Sequence, residues 1–79
     1  MKARVFVTLK PSVFDPQGSV VAEALHTLGY ADVQNVRQGK FFELDLDGTD
    51  RAAVEARVSE MAAKLLANPV IESYRVDVI

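Results

Sequence analysis

The residue types that could carry out chemistry are few in this chain, and they are not grouped. His26 is the only histidine, and it falls in a predicted helix beside the apolar residue Leu25. Because there is no cysteine, disulfides are excluded and a zinc cluster of the usual cysteine and histidine type is not expected. A nucleophile needs an activating base within reach, and the spacing indicates no such pair. We therefore interpret His26 as an ordinary, partly exposed helix histidine.

Two carboxylates and two glycine-containing segments are the remaining candidates. Asp45 and Asp47 alternate along a predicted strand and could ligate a metal, but an exposed edge paired with lysines is the simpler interpretation. The sequence DPQG, residues 15–18, offers backbone amides at a helix start without the rest of a phosphate-binding loop. In VRQGK, residues 36–40, two cations flank a glycine and could contact a phosphate or a protein carboxylate. On spacing alone, no catalytic residue and no metal site is predicted.

Size and composition predict one soluble, intracellular domain. The chain has 79 residues, 49% of them hydrophobic, and a net charge of −2. A domain this short buries only about 60% of its unfolded surface, and oligomerisation is a usual remedy. The slightly acidic balance argues against a nucleic-acid binder, and no segment has the pattern of a membrane helix or a signal peptide. We expect a cytoplasmic protein that binds neither nucleic acid nor membrane.

The spacing of apolar residues predicts the order of the elements. Residues 2–10 and 70–79 alternate in polarity, as half-buried strands do. A first helix begins after an N-cap at Asp15 and ends at Gly29. A second helix begins after Thr49 as its N-cap. The residues expected to face inward are Val21, Ala24, Leu25 and Leu28 in the first helix, and Val54, Val58, Met61 and Leu65 in the second.

The region between the two helices leaves two topologies open. Residues 33–37 and 40–47 are both strand-like, and Gln38-Gly39 between them is a weak hairpin turn. The order is therefore β-α-β-β-α-β, or β-α-β-α-β with one long bent strand. Both are α+β arrangements; we predict a ferredoxin-like sandwich, one domain over residues 1–79, with two helices on one face of an antiparallel sheet. A continuous middle strand would allow its pairing to form between chains, giving a strand-swapped dimer.

The opposite face of the sheet is predicted to mediate self-association. Two phenylalanines and two β-branched residues are expected there: Phe6, Val36, Phe41 and Ile71. Scattered apolar residues are normal on a surface, but a cluster of this kind is typical of a partner surface. On the same face, the basic residues of the first strand are expected to lie near the acidic residues of the neighbouring strand: Lys2, Arg4 and Lys10 near Glu43, Asp45 and Asp47.

Three segments of the chain resemble the PurS family, the small subunit of bacterial and archaeal phosphoribosylformylglycinamidine synthase. They are LKPSVFDPQGSVVAEALHTLGY, VQNVRQGKFFEL and MAAKLLANPVIESYRVDV, which together cover most of the sequence. The resemblance implies a subunit of a glutamine-using, ATP-dependent ligase of purine biosynthesis, which converts formylglycinamide ribonucleotide (FGAR) to formylglycinamidine ribonucleotide (FGAM). It further implies that this subunit has no active site, forms a homodimer or homotetramer, bridges the PurL synthetase and the PurQ glutaminase, and assists ammonia transfer.

The residues of these motifs that we predict to face the partner subunits are Lys10, Gln17, Gly18, Arg37, Gly39 and Lys40. Glycine in the first turn of a helix is unfavourable relative to alanine, and we attribute Gly18 to the close approach of a partner backbone. No cofactor is expected on this chain, because ATP and magnesium are used by the synthetase in this family. The alternative function is a small ligand-sensing regulatory module of ferredoxin-like fold.

Overall fold

A computed structural model describes all of residues 1–79 and has three strands and two helices. The elements are β1 (Lys2–Leu9), α1 (Pro16–Thr27), β2 (Gly39–Asp45), α2 (Arg51–Met61) and β3 (Glu72–Val78), with a π-helical turn (Ala62–Leu66) continuing α2. The α+β prediction is confirmed in its β-α-β-α-β form. A separate strand over residues 33–37 does not form, and those residues run without strand pairing into β2. Neither helix has the length and apolar character needed to cross a membrane.

The sheet and α2 enclose the hydrophobic core. All strands are antiparallel, with β1 in the centre of the order β2-β1-β3. Val5 and Val7 on the inner face of β1 are fully buried, together with Val54 and Val58 of α2. Burial of each such side chain stabilises the fold by roughly 1.5–3 kcal/mol. This half of the molecule therefore has a core of its own.

The first helix does not cover the sheet, which corrects the prediction of two helices on one face. Gly18 is the only buried residue of α1, and Leu28, predicted to face inward, is 73% exposed. The molecule measures 48 × 25 × 14 Å and has a radius of gyration of 15.8 Å. A compact chain of this length would have a radius of gyration of about 12 Å. The apolar residues of α1 therefore face outward in the single chain.

The helix ends follow the sequence, with one shift. Asp15 caps α1 as predicted, because its carboxylate accepts a hydrogen bond from the Gly18 amide at 2.9 Å. Gly29 takes the left-handed conformation after the helix, with φ at 102°. In α2 the capping residue is Asp50 rather than Thr49, and its carboxylate accepts from the Ala52 amide at 3.0 Å.

The π-helical turn explains why Leu65 is not in the core. The amide of Ala67 donates to the carbonyl of Ala62 at 2.9 Å, a bond that spans five residues. The wider turn carries more residues than an α-helical turn, so the positions that follow it rotate relative to the predicted stripe. Leu65 is consequently 84% exposed, and Leu66 packs against the core instead.

Candidate partner-binding site

Three irregular segments meet at the end of the sheet where β1 stops. They are the loop 10–15, the extended segment 33–38 and the connection 67–71, which precedes β3. The amide of Lys10 donates to the carbonyl of Ile71 at 2.9 Å, which joins the first segment to the third. Of the six residues predicted to face partners, Lys10 and Arg37 lie on these segments. The other four lie close to them in sequence, two at the start of β2 and two in the first turn of α1: Gly39, Lys40, Gln17 and Gly18.

The Asp15 carboxylate fastens α1 to the extended segment. Asp15 is only 5% exposed. Its carboxylate accepts hydrogen bonds from the backbone amides of Gly18, at 2.9 Å, and Gln38, at 2.8 Å. The bond from Gln38 above all, then that from Gly18 and the nearby Arg37 charge, hold the pKa of the Asp15 carboxyl below its usual range. The ionised carboxylate therefore acts as a structural acceptor.

The Arg37 side chain holds the loop 10–15 through backbone carbonyls. Its Nη2 atom donates to the carbonyl oxygens of Lys10 and Val13, each at 2.9 Å, and reaches that of Leu9 at 3.4 Å. Nε and Nη1 of the same guanidinium make no hydrogen bond within the chain. One part of Arg37 is therefore structural, and the rest of its donors remain free for another group.

Contacts inside the chain account for both glycines. A Cβ at Gly18 would lie 2.1 Å from the Val36 carbonyl oxygen, and one at Gly39 would lie 2.3 Å from the Val7 carbonyl oxygen. Gly39 makes no turn, since its φ is not positive; it begins β2 opposite Thr8. Partner contact by either glycine stays a prediction, but neither residue type needs a partner to explain it.

Gln17 and Lys40 line a small cavity, which Lys10 does not line. We call it the Lys40 cavity; its volume is about 240 Å³, and its lining residues are Leu9, Asp15, Gln17, Gln38, Gly39, Lys40 and Glu72. The Nζ atom of Lys40 lies 3.4 Å from Glu72 Oε2, and the Nζ atom of Lys10 donates to the Pro69 carbonyl at 2.9 Å. The fold thus brings Gln17, Gly39 and Lys40 together.

Glu72 belongs to this site, although the sequence did not single it out. Its side chain is 13% exposed, and it accepts a hydrogen bond from the Asn68 amide at 2.7 Å as well as pairing with Lys40. The available signal was the spacing of Asn68 and Glu72 across a proline-containing turn, where a carboxylate can accept a free backbone amide.

The predicted self-association residues divide into two groups. Phe6 and Phe41 are opposite each other on the outer face of the sheet, with ring centroids 5.1 Å apart, and the Arg75 guanidinium lies 4.4 Å from the Phe6 centroid. Val36 lies beside α1, and Ile71 lies in the connection before β3. Only Phe6 and Phe41 therefore lie on strands of the sheet, and the role of all four residues in self-association stays a prediction.

The predicted charge pairing on the outer face is confirmed for Glu43. Its carboxylate lies 3.2 Å from Lys2 Nζ and 3.4 Å from Arg4 Nε. The hydrogen bond and charge of Lys2, followed by those of Arg4, lower the pKa of the Glu43 carboxyl. Because all three side chains are well exposed to water, this network contributes little to stability.

Comparison with known proteins gives one consistent family. A family model described as "PurS: Phosphoribosylformylglycinamidine (FGAM) synthase" matches residues 2–79. The phosphoribosylformylglycinamidine synthase subunit PurS of Bacillus subtilis is 53% identical over 77 residues, covering 98% of this chain and 90% of the relative. A solved PurS from Methanocaldococcus jannaschii has a TM-score of 0.87 at 37% identity, covering 96% of this chain and 92% of that one. A chain in the structure of PurLQS from Thermotoga maritima has a TM-score of 0.87 at 28% identity, with coverages of 96% and 93%.

Proposed function

This chain belongs to the PurS family and is a subunit of FGAM synthase, and from that premise we propose that it is a non-catalytic bridge between the glutaminase and synthetase subunits. The similar Thermotoga maritima chain comes from a structure described as PurLQS, which names PurS together with L and Q subunits. In this proposal, PurL carries the ATP and magnesium, PurQ releases ammonia from glutamine, and this subunit aligns the two in the cytoplasm. The bound subunit assists ammonia transfer by helping to exclude water between the two sites.

The observation that carries the proposal is an exposed apolar surface on and around α1. We call it the α1 surface; its exposed residues are Phe14, Val20, Val21, Leu28 and Tyr30. Monomeric proteins rarely leave so many large apolar side chains together in water. A projecting helix with its apolar residues uncovered is what an assembly subunit requires.

A second copy of this chain is the proposed occupant of the α1 surface. Residues 33–38 are extended but unpaired and run directly into β2, so they can continue that strand across a second chain. Such pairing would swap strand contacts between copies and cover α1 at the same time. The Phe6 and Phe41 rings, which contact each other in a tilted arrangement on the outer face, supply a separate apolar patch through which two dimers could form a tetramer.

The partner-facing region is proposed to be the end of the sheet around the Lys40 cavity. Lys10 and Lys40 are held near this end of the sheet by the Pro69 carbonyl and the Glu72 carboxylate. Gln17 lines the cavity, and its side chain makes no hydrogen bond within the chain. The groups that could react are already engaged: Asp15 binds two amides, and the His26 ring contacts the Val33 carbonyl at 2.6 Å. This engagement supports a role in positioning rather than catalysis.

The test is size-exclusion chromatography with light scattering, first on the chain alone and then with PurL and PurQ, ATP, magnesium and glutamine. We expect a dimer or tetramer alone and one larger complex with the partners. The Gln17→Arg variant should remain oligomeric but lose co-elution, whereas Ala56→Arg, on the exposed face of α2, should assemble normally. A monomer that ignores both partners would contradict the proposal and favour a ligand-sensing module. Equal assembly of the two variants would contradict only the assignment of the Lys40 cavity.

A further inference from the structure

A second cavity is lined by residues of the outer face of the sheet and by the segments beside it. We call it the Arg37 cavity; its volume is about 390 Å³, and its lining residues are Thr8, Leu9, Pro11, Asn35, Arg37 and Ser73. This volume lies within the range of about 300–1,000 Å³ that is usual for small-molecule sites. No acidic residue lines it, and its only charge is that of Arg37.

The donors of this cavity converge from separate elements. Thr8 of β1 and Ser73 of β3 are directly paired in the sheet and both point to the outer face, as does the neighbouring pair Phe6 and Arg75. Directly opposed residues of antiparallel strands have Cα atoms about 4.5–5.5 Å apart, so the two hydroxyl groups lie side by side. Asn35 adds an amide from the extended segment.

Arg37 is held in place before any ligand arrives. The carbonyls of Lys10 and Val13 fix its Nη2 atom, while Nε and Nη1 keep three N–H groups without a partner in the chain. The Asp15 carboxylate, whose charge acts on Arg37, already accepts hydrogen bonds from two backbone amides. It lines a neighbouring cavity together with Asn35 and Arg37, but it does not line the Arg37 cavity. A fixed guanidinium loses little side-chain freedom on binding an oxyanion, and its planar fork suits phosphate.

We propose that the Arg37 cavity binds the phosphate group of a small molecule. Arg37 supplies the charge, and the hydroxyls of Thr8 and Ser73 and the amide of Asn35 donate to the phosphate oxygens. These donors belong to different parts of the fold and can approach a ligand from several directions. That arrangement suits the tetrahedral oxygens of a phosphate better than the two coplanar oxygens of a carboxylate. The proposal concerns the chain by itself and does not rest on its bridging role.

The test is an amide NMR titration of the full chain with inorganic phosphate, with sodium chloride adjusted to keep ionic strength constant. We expect saturable shifts at the amides of Thr8, Asn35 and Ser73. Sodium acetate is the comparison probe for a carboxylate, and it should shift these amides weakly and without saturation. Saturation by acetate at equal or lower concentration than phosphate would overturn the phosphate assignment.

Variants that leave Arg37 untouched separate a built site from general attraction of anions. Thr8→Val combined with Ser73→Ala should weaken phosphate binding by about tenfold or more, because two hydrogen bonds to a charged group are lost. Thr8→Ser keeps a hydroxyl and should bind nearly as wild type, and Ser12→Ala, outside the cavity, serves as the matched control. Amide spectra with native dispersion verify folding. No saturation in the wild type, or equal binding by the double variant, would overturn the proposal.

Discussion

The two helices of this chain are held by different kinds of contact. α2 is bound through apolar side chains, with Val54 and Val58 buried against the inner face of the sheet. α1 is bound at its ends by polar groups: Asp15 ties its first turn to Gln38, and the His26 ring contacts the Val33 carbonyl. One half of the chain thus has its own core. In the other half, polar contacts set the position of a helix whose apolar residues remain available for another surface.

The strongest test of this contrast introduces the same charge into each helix. Val58→Asp would bury an unpaired carboxylate, and we expect it to reduce the free energy of unfolding by about 3 kcal/mol or more, which unfolds the chain. Leu28→Asp places the charge on an exposed position, and in the dilute monomer it should change that free energy by no more than about 0.5 kcal/mol. Urea denaturation followed by circular dichroism measures both.

Protein concentration provides the accompanying control. If a second copy covers the α1 surface, the Tm of the wild type should rise with concentration, and Leu28→Asp should remove that rise. Equal destabilisation by the two substitutions in dilute solution would mean that α1 belongs to the core after all. A wild-type Tm independent of concentration would argue against a second copy as the occupant of the α1 surface.

A smaller effect is expected where α1 meets the extended segment. In Gly18→Ala the added methyl would collide with the Val36 carbonyl, because the ideal Cβ position is only 2.1 Å from that oxygen. We expect destabilisation of about 1–3 kcal/mol and faster hydrogen exchange at the Gln38 amide, which Asp15 holds. Ser19→Ala, at the next position, is the matched control. Normal protection of Gln38 in Gly18→Ala would show that the contact can be relieved at no cost.

As the pH falls, the contacts that hold α1 should weaken before those that hold α2 against the sheet. The pKa of Asp15 is lowered in the folded chain, so its ionised form contributes stability above its ordinary value of 3.8, and this contribution is lost as the pH falls from there through the lowered value. Hydrogen exchange at Gly18 and Gln38 should therefore accelerate, relative to that of the core strand, as the pH falls below about 4.

The Asp15→Asn variant separates this residue from other acids. Glu43 also has a lowered pKa, so global stability falls over the same pH range for a second reason. The asparagine side chain of this variant would keep one acceptor oxygen and could still cap Gly18, but it would have no second oxygen for the Gln38 amide. In Asp15→Asn the Gln38 amide should therefore be poorly protected at neutral pH and show no further relative loss in acid. Retention of the full acid-dependent change in that variant would assign the change to Glu43 or to another carboxyl.

Local sequence signals predicted the parts of the fold that depend on neighbouring residues. Alternation located β1 and β3, and the Asp15-Pro16 and Gly29 signals located the ends of α1. The prediction that the apolar stripe of α1 faces inward was wrong, because periodicity locates an apolar stripe on a helix but does not show what packs against it. The exposure of Leu28 was therefore unpredictable from spacing.

The sequence motifs predicted a set of partner-facing residues, but not where the fold would place them. The structure brings Gln17, Gly39 and Lys40 together around one cavity, and their contact with partner subunits stays a prediction. Gly18 and Gly39 are explained by backbone contacts 18 and 32 positions away in the sequence, with Val36 and Val7, respectively. Contacts of this kind depend on tertiary packing, and a single sequence does not encode them in its local pattern.

The smallest expected effect concerns the exposed end of α2. Lys64 lies in the π-helical turn, and its Nζ atom is 2.5 Å from Glu60 Oε1, with side chains 73% and 62% exposed. An exposed pair four residues apart contributes about 0.3–0.5 kcal/mol, so Lys64→Ala should lower the free energy of unfolding by no more than that. Urea denaturation at low and high salt measures the change, and at high salt the difference in free energy of unfolding between the wild type and Lys64→Ala should vanish. A loss above about 1 kcal/mol, unaffected by salt, would mean that packing of the Lys64 side chain holds the wide turn, and with it the placement of Leu66 in the core.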